Sequence, residues 1–227
     1  FNVIAGAITT VNLPTGTELT SSDFVTNEGV HIISNDEITV YGFSARSFST
    51  DAFLAFPVDA IGTDYIIMSY KNVNIVNGTQ FGIVAAEAGT TTVTITPSVT
   101  TGARAAGVPY NVILTQGQTY MLRNTVNAGD LTGSIISSDK KVAVFGSHEC
   151  SNIPSGGVVF CDYLVEQLPP NSAWGTEFVS VPLAGRTLGD TYRILSQTAG
   201  TIVQIDGSTV ATLGVGEFYE AMLLGYN

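Results

Sequence analysis

Charge of either sign is scarce in this chain. Only 12% of its 227 residues are charged, lysine occurs three times (Lys71, Lys140, Lys141), cysteine and histidine twice each and tryptophan once. Each shortage excludes something. Eight basic residues against nineteen acidic ones leave a net charge of −11, which disfavours nucleic acid or an anionic membrane as partner, since phosphate-rich surfaces are held by clustered cations. No hydrophobic run approaches the roughly 18–20 residues that a membrane helix needs, so no membrane insertion is expected. No segment joins a 3.6-residue apolar period to a cap and a stop, so helix is nearly absent. A two-histidine metal centre would have to recruit both His31 and His148 plus a carboxylate. A serine nucleophile would compete for the same two side chains, and there is no GxSxG elbow. Ser155-Gly156-Gly157 lacks the lysine and helix of a phosphate loop. The adjacent acids Asp36 and Glu37 sit in a polar turn, where carboxylates serve turn chemistry. These absences predict a chain that is not an enzyme and that carries no cofactor and no metal. No signal peptide is visible either: Phe1 opens directly on strand-like sequence, as a processed or trimmed piece of a longer chain would.

What is present is a strand-and-turn vocabulary. Hydrophobic residues make up 44% of the chain, and threonine, valine, glycine and serine dominate, which predicts an all-β fold. The chain also repeats itself. Ile33-Ser34, Val84-Ala85, Ile136-Ser137 and Leu195-Ser196 each precede a short polar turn and an alternating strand: Ile38–Gly42, Val93–Pro97, Val142–Gly146 and Val203–Gly207. A third apolar strand follows in every unit (Leu54–Pro57, Val112–Thr115, Leu164–Pro169, Val210–Leu213). A glycine-led turn with an aromatic then closes it: Gly62–Tyr65, Gly117–Tyr120, Gly175–Phe178 and Gly216–Tyr219. In these turns the glycine suits a positive φ and the aromatic opens a strand. Four-stranded antiparallel units recurring at roughly 50–60 residues have the sequence signature of propeller blades. Units one and three share a proline-then-GT[DE][YF] ending, so tandem β-sandwiches built from pairs of units are the alternative. On this reading residues 1–28 end a preceding unit, 29–124 form a first pair of units and 125–227 a second pair.

The richest stretch runs from His148 to Leu183. Cys150 and Cys161, with ten residues between them, enclose a proline- and glycine-bearing loop. A disulfide between them would remove on the order of 3 kcal/mol of unfolded-state entropy and belongs to a secreted or surface compartment. The spacing matches neither CxxC nor a zinc-ligand pattern. His148, Asp162, Tyr163, Glu166 and Trp174 cluster in sequence around this loop and form the candidate binding loop. If Trp174, Tyr163, Asp162 and Glu166 face one cleft, a lectin-like site for a glycan or a Ca²⁺-dependent ligand follows; if not, Trp174 reads as a hydrophobic plug between units. Asn77-Gly78-Thr79 is the one N-x-[ST] sequon and makes Asn77 the candidate glycosylation site.

CDYLVEQLPP followed by WGTEF, with SSDKKVAVFGSHEC upstream, resembles the N-terminal domain of the IgGFc-binding protein family. The likeness extends through GTDYIIMSY, GTTTVTIT, LTQGQTYMLR and YRILSQTAGTIVQIDG. It implies a secreted, extracellular or cell-surface module that binds other extracellular proteins, in adhesion, mucus, matrix or surface filaments, without catalysis. Separately, a chain that starts and stops mid-pattern, with three lysines to guard its edges, predicts association with copies of itself through the terminal strands near Phe1 and Tyr226. No residue of this sequence can be matched to Fc binding.

Overall fold

The computed structural model describes residues 2–46, 48–73, 78–154, 160–181 and 189–223. Its chain order is β1 (Phe24–Thr26), β2 (Val40–Arg46), β3 (Ser49–Ala55), β4 (Gly62–Ile66), β5 (Thr79–Ala85), β6 (Thr90–Thr96) and β7 (Tyr110–Thr115). It continues with β8 (Thr119–Asn124), β9 (Ile135–Ser151), β10 (Asp162–Gln167), β11 (Asp190–Leu195), β12 (Thr201–Ile205), β13 (Ser208–Leu213) and β14 (Phe218–Leu223). The fold is all-β, and the one helical element described is a 3₁₀ turn at Asn171–Ala173.

Eight strands form one strongly curved, nearly closed, barrel-like sheet in the order β1-β8-β5-β9-β6-β7, with β4 and β10 also on β9. β9 is 17 residues long and serves both sides of the barrel. Its first part, Ile135–Ser138, pairs with β6 and, through Ile135–Ser137, with β4. Its second part, from Val142 to His148, pairs with β5, while Phe145 onward pairs with β10. Alternation directs Val93 and Ile95 of β6, Val112 and Leu114 of β7, and Ile136, Val142 and Val144 of β9 inward. They meet Tyr65, Ile67, Phe81, Ile83 and Leu131 in one core. Each such side chain contributes roughly 1.5–3 kcal/mol by leaving water.

Two flanking segments cover the barrel's outside. The β2–β3 hairpin lies against β10, and the ring of Phe53 meets that of Phe145 edge-on, centroids 5.1 Å apart. β1 is fixed by Asp23, whose carboxylate accepts from Arg104 Nε (3.0 Å) and from Tyr120 Oη (2.6 Å). The Arg104 guanidinium in turn stacks 4.0 Å from the Tyr110 ring centre. Burial pushes the Tyr110 phenol up to about 12 and drives that of Tyr120 higher still, helped by its bond to Asp23.

At the other end, β11 pairs with β14 and β12 with β13, as two two-stranded sheets. Arg193 of β11 ties them to the barrel. Its Nη1 lies 2.8 Å from Asp130 Oδ2, 2.9 Å from Thr132 Oγ1 and 3.0 Å from the Ser69 carbonyl, and its Nε donates to Glu220 Oε2 at 2.7 Å. The guanidinium is sandwiched between the rings of Tyr70 and Phe218, 4.1 and 4.4 Å from their centres.

The strand pairing does not show four repeated four-stranded units or a propeller. Units two and four do share one nesting, first strand with fourth and second with third: β5–β8 and β6–β7, then β11–β14 and β12–β13. Unit three departs from it at the polar turn expected between Ile136 and Val142, where β9 runs straight on. The cause is local. Units two and four turn at Gly89 and Gly200, with φ of +79° and +78°, a conformation in which a Cβ is strained. Unit three has Asp139-Lys140-Lys141 there, which extends. The closing turns divide likewise. Gly117 and Gly216 have φ of +81° and +73° as expected, whereas Gly62 is extended and a Cβ on it would sit 2.7 Å from Pro170 Cβ. The expected strand at Gly175–Phe178 is absent, and the segment 174–181 is irregular.

Two substitutions test this framework. Val144 is fully buried in the core, so Val144→Asp, which would bury an unpaired carboxylate, is expected to cost more than about 4 kcal/mol and abolish the cooperative unfolding transition by circular dichroism. Arg193→Met leaves Asp130 without its cation and Glu220 with only Lys71 at 3.7 Å, and is expected to cost about 3–5 kcal/mol. In hydrogen exchange that loss should appear first in 190–223 and leave β5, β6 and β9 protected.

Candidate functional site

Cys150 and Cys161 are joined in a disulfide, Cα atoms 5.0 Å apart, that closes the end of the β9–β10 pair. In that pair Leu164 lies opposite His148 and Asp162 opposite Ser151, with a register shift between them.

The structure separates the five residues of the candidate binding loop. His148 points inward and is 1% exposed. Its Nδ1 accepts from the Cys150 backbone N–H at 3.1 Å, which leaves the proton on Nε2 to be donated to Asn72 Oδ1 at 3.0 Å. The same Asn72 oxygen accepts from Thr79 N (2.7 Å), while Nδ2 donates to the carbonyls of Asn124 and Val126. His148 is thus a neutral junction residue between β5, β8 and β9. Burial pushes its pKa down to about 4.

Asp162 and Tyr163 act at the joint between β10 and β3. Asp162 Oδ1 accepts from Ser49 Oγ (2.6 Å) and Thr50 N (3.2 Å), and the Ser49 hydroxyl holds the carboxyl below its usual range. Tyr163 N donates to Ser49 Oγ at 2.8 Å, and Asp51 Oδ2 accepts from Val165 N at 2.8 Å. Side chains therefore replace a backbone ladder between these strands. Glu166 is raised by burial and then by the nearby charge of Asp51. Among the described residues, no group of three His, Cys, Asp or Glu is close enough to share a metal ion. Asn77 lies outside the described residues.

Trp174 belongs to another place. It follows the 3₁₀ turn at the Lys141 end of the barrel, whereas Asp162 pairs with Ser151, ten positions further along β9, or roughly 30 Å of strand. There Trp174 lines an open groove with Gly62, Asp64, Lys141, Asn171 and Gln197. It is half-exposed, with its indole N–H 3.4 Å from the Pro169 carbonyl, and so is not a plug between units. Gly62 shapes the groove, because only a residue without Cβ lets the start of β4 press on Pro170. The sequence reading passed over Asn171, Gln197 and Lys141. The signal was the ending shared by units one and three, whose Gly62-Thr63-Asp64 and PPNSAW meet here.

The buried histidine predicts a pH dependence with a definite sign. Between its usual value of 6.5 and about 4 the unfolded chain takes up a proton that the folded chain does not. Its stabilising contribution is therefore complete above pH ~6.5 and is lost as pH falls toward 4, by at most about 3 kcal/mol. Urea unfolding at pH 4.5 and 7 is expected to show this drop, and His148→Gln, which retains a donor for Asn72, should shrink it.

A family model described as IgGFc binding protein matches residues 51–226. The chain is also 29% identical over 208 residues to the human IgGFc-binding protein, an alignment covering 90% of this chain and 4% of that protein. The chain thus spans a small fraction of the length of the relative it matches. No solved structure matches it. With the family match extending over the barrel from β4 to β10, the cysteine-bounded hairpin and the C-terminal sheets, the chain belongs to the IgGFc-binding protein family.

Proposed function

We propose that this chain is a non-catalytic, extracellular interaction and structural module, of the kind used in adhesion, mucus, matrix or surface filaments, and that its partner on one face is a second copy of itself. Family membership and the disulfide support the extracellular setting. Four of the groups with displaced pKa values support the non-catalytic reading. Tyr110, Tyr120, His148 and Asp162 are all engaged in hydrogen bonds that hold strands together.

One observation carries the interaction reading: the outward face of the β2–β3 hairpin. Tyr41, Phe43 and Ala45 on β2 pair across the hairpin with Leu54, Ala52 and Thr50. All six point to solvent and none is charged, with Tyr41 67% and Phe43 71% exposed. An exposed apolar patch of this kind marks an interaction surface. Among the described residues β2 pairs only with β3, so its other edge has no strand partner there. Phe43 is central in the seven-residue strand. An antiparallel β2–β2 contact about a two-fold axis at Phe43 would extend the ribbon to four strands and join the two aromatic faces. The human relative is named for binding IgG Fc, which makes Fc the rival occupant.

Sedimentation velocity over a micromolar concentration series is expected to show a monomer–dimer equilibrium. Added salt should strengthen it, because two chains of net charge −11 repel until screened, and Phe43→Glu should abolish it. A monomer at every concentration, a dimer untouched by Phe43→Glu, or capture of purified Fc by this face would overturn the reading.

A further inference from the structure

The groove at Trp174 has the chemistry of a ligand site that neither the hairpin face nor the family assignment uses. Its lining includes an indole, flat and apolar with a polar edge. Around it stand groups whose hydrogen-bonding capacity the described protein leaves open. Asn171 Oδ1 is buried with no hydrogen-bond partner among the described residues, which leaves an acceptor of a groove-lining residue unsatisfied. Gln197 reaches the groove from the exposed β11–β12 turn, on the separate C-terminal sheets. Asp64 has one carboxylate oxygen occupied by the Thr63 hydroxyl at 2.7 Å.

The electrostatics narrow the ligand class. Lys141 is the one cation of the groove, and its Nζ is already directed at the carbonyls of Val58 (3.0 Å) and Asp59 (3.4 Å). Asp64 remains as a negative charge in the lining. Lys141 thus has at most one N–H to spare, and the Asp64 carboxylate beside it opposes a carboxylate, sulfate or phosphate. An aromatic platform ringed by two amides and a carboxylate fits a flat, uncharged, hydroxyl-rich molecule. A pyranose can lay its C–H face on the indole and direct its hydroxyls to the rim. We infer that the groove between the Gly62–Asp64 turn and the Asn171–Trp174 turn is a binding site for a neutral saccharide.

Trp174 is the only tryptophan, so the intrinsic tryptophan emission of the chain reports this groove alone. Titration with lactose, N,N′-diacetylchitobiose and methyl α-mannoside is expected to give a saturable emission change with at least one of them, in the millimolar range usual for a shallow site. The anionic 3′-sialyllactose should bind at least tenfold more weakly than lactose. Gln197→Ala changes only an exposed side chain and Asn171→Ala removes the unpaired amide; each is expected to weaken binding at least fivefold. For Trp174→Ala, saturation-transfer NMR should find no binding. Absence of a saturable response to all three neutral sugars, preference for sialyllactose, or affinity unchanged in both amide variants would overturn the inference. Phe43→Glu lies on the other surface and should leave the titration unaltered, so failure of the hairpin reading and failure of this one give separate results.

Discussion

The structure depends on one strand being continuous. β9 carries the pairing partners of β4, β5, β6 and β10, and it can do so only because its middle neither turns nor breaks. Where the ladder is interrupted around Asp139, side chains take over. Asp139 Oδ1 accepts from Thr92 N at 2.8 Å, and Ser138 Oγ lies 2.7 Å from the Lys140 carbonyl. Tyr65 Oη donates to the Val142 carbonyl and accepts from Gly62 N, both at 2.8 Å. A hairpin at this point would leave β6 and β4 on one sheet and β5 and β10 on another. The irregular joint in β9 keeps them in a single curved surface around a single core.

The segments attached to that barrel are held by few polar contacts, of which the Arg193 cluster is the most buried. All six cations whose side chains are described are committed: Arg104 to Asp23, Arg123 to Glu149, Arg193 to Asp130 and Glu220, Lys71 to Glu220, and Lys140 and Lys141 to backbone carbonyls. Exposed pairs such as Lys71–Glu220 at 3.7 Å add little. The Arg193 contact is of another kind, since its side chain is 7% exposed and its planar fork satisfies two elements at once while stacking on rings from both.

How much of this was legible in the sequence follows from what each feature depends on. The all-β class, the disulfide and most strand positions rest on local alternation, turn glycines and cysteine spacing, and these could be read directly. The nesting of 79–124 and 190–223 was visible as a shared unit ending, although the pairing order was not. The course of β9 was misjudged because Ser-Ser-Asp-Lys-Lys looks like a polar turn, and only comparison with Gly89 and Gly200 shows that the residue able to turn is missing. His148, Asp162 and Trp174 lie apart for a geometric reason. Side chains alternate faces on a strand, so His148 on β9 points into the core, while Asp162 is drawn to Ser49, more than a hundred residues away in sequence. Arg193 and Gln197 gave no local signal, since their partners lie on other elements.

The same commitments bear on how the molecule can recognise anything. With four of the six described cations paired to carboxylates and the most perturbed titratable groups used as joints, what remains on the outside is predominantly acidic or uncharged. An acidic surface repels its own copies and most other extracellular proteins of like charge, so contact is left to surfaces that carry no charge. Two such surfaces lie on different supports: the aromatic face of β2–β3, fastened to β10 by Asp51 and Asp162, and the Trp174 groove, walled by β4, the 3₁₀ turn and the β11–β12 loop. Binding at either requires burial of apolar area or hydrogen bonds to amides rather than ion pairing. Salt should accordingly leave the groove's affinity nearly constant while strengthening contacts between copies, which separates the two surfaces by their physics as well as by their position.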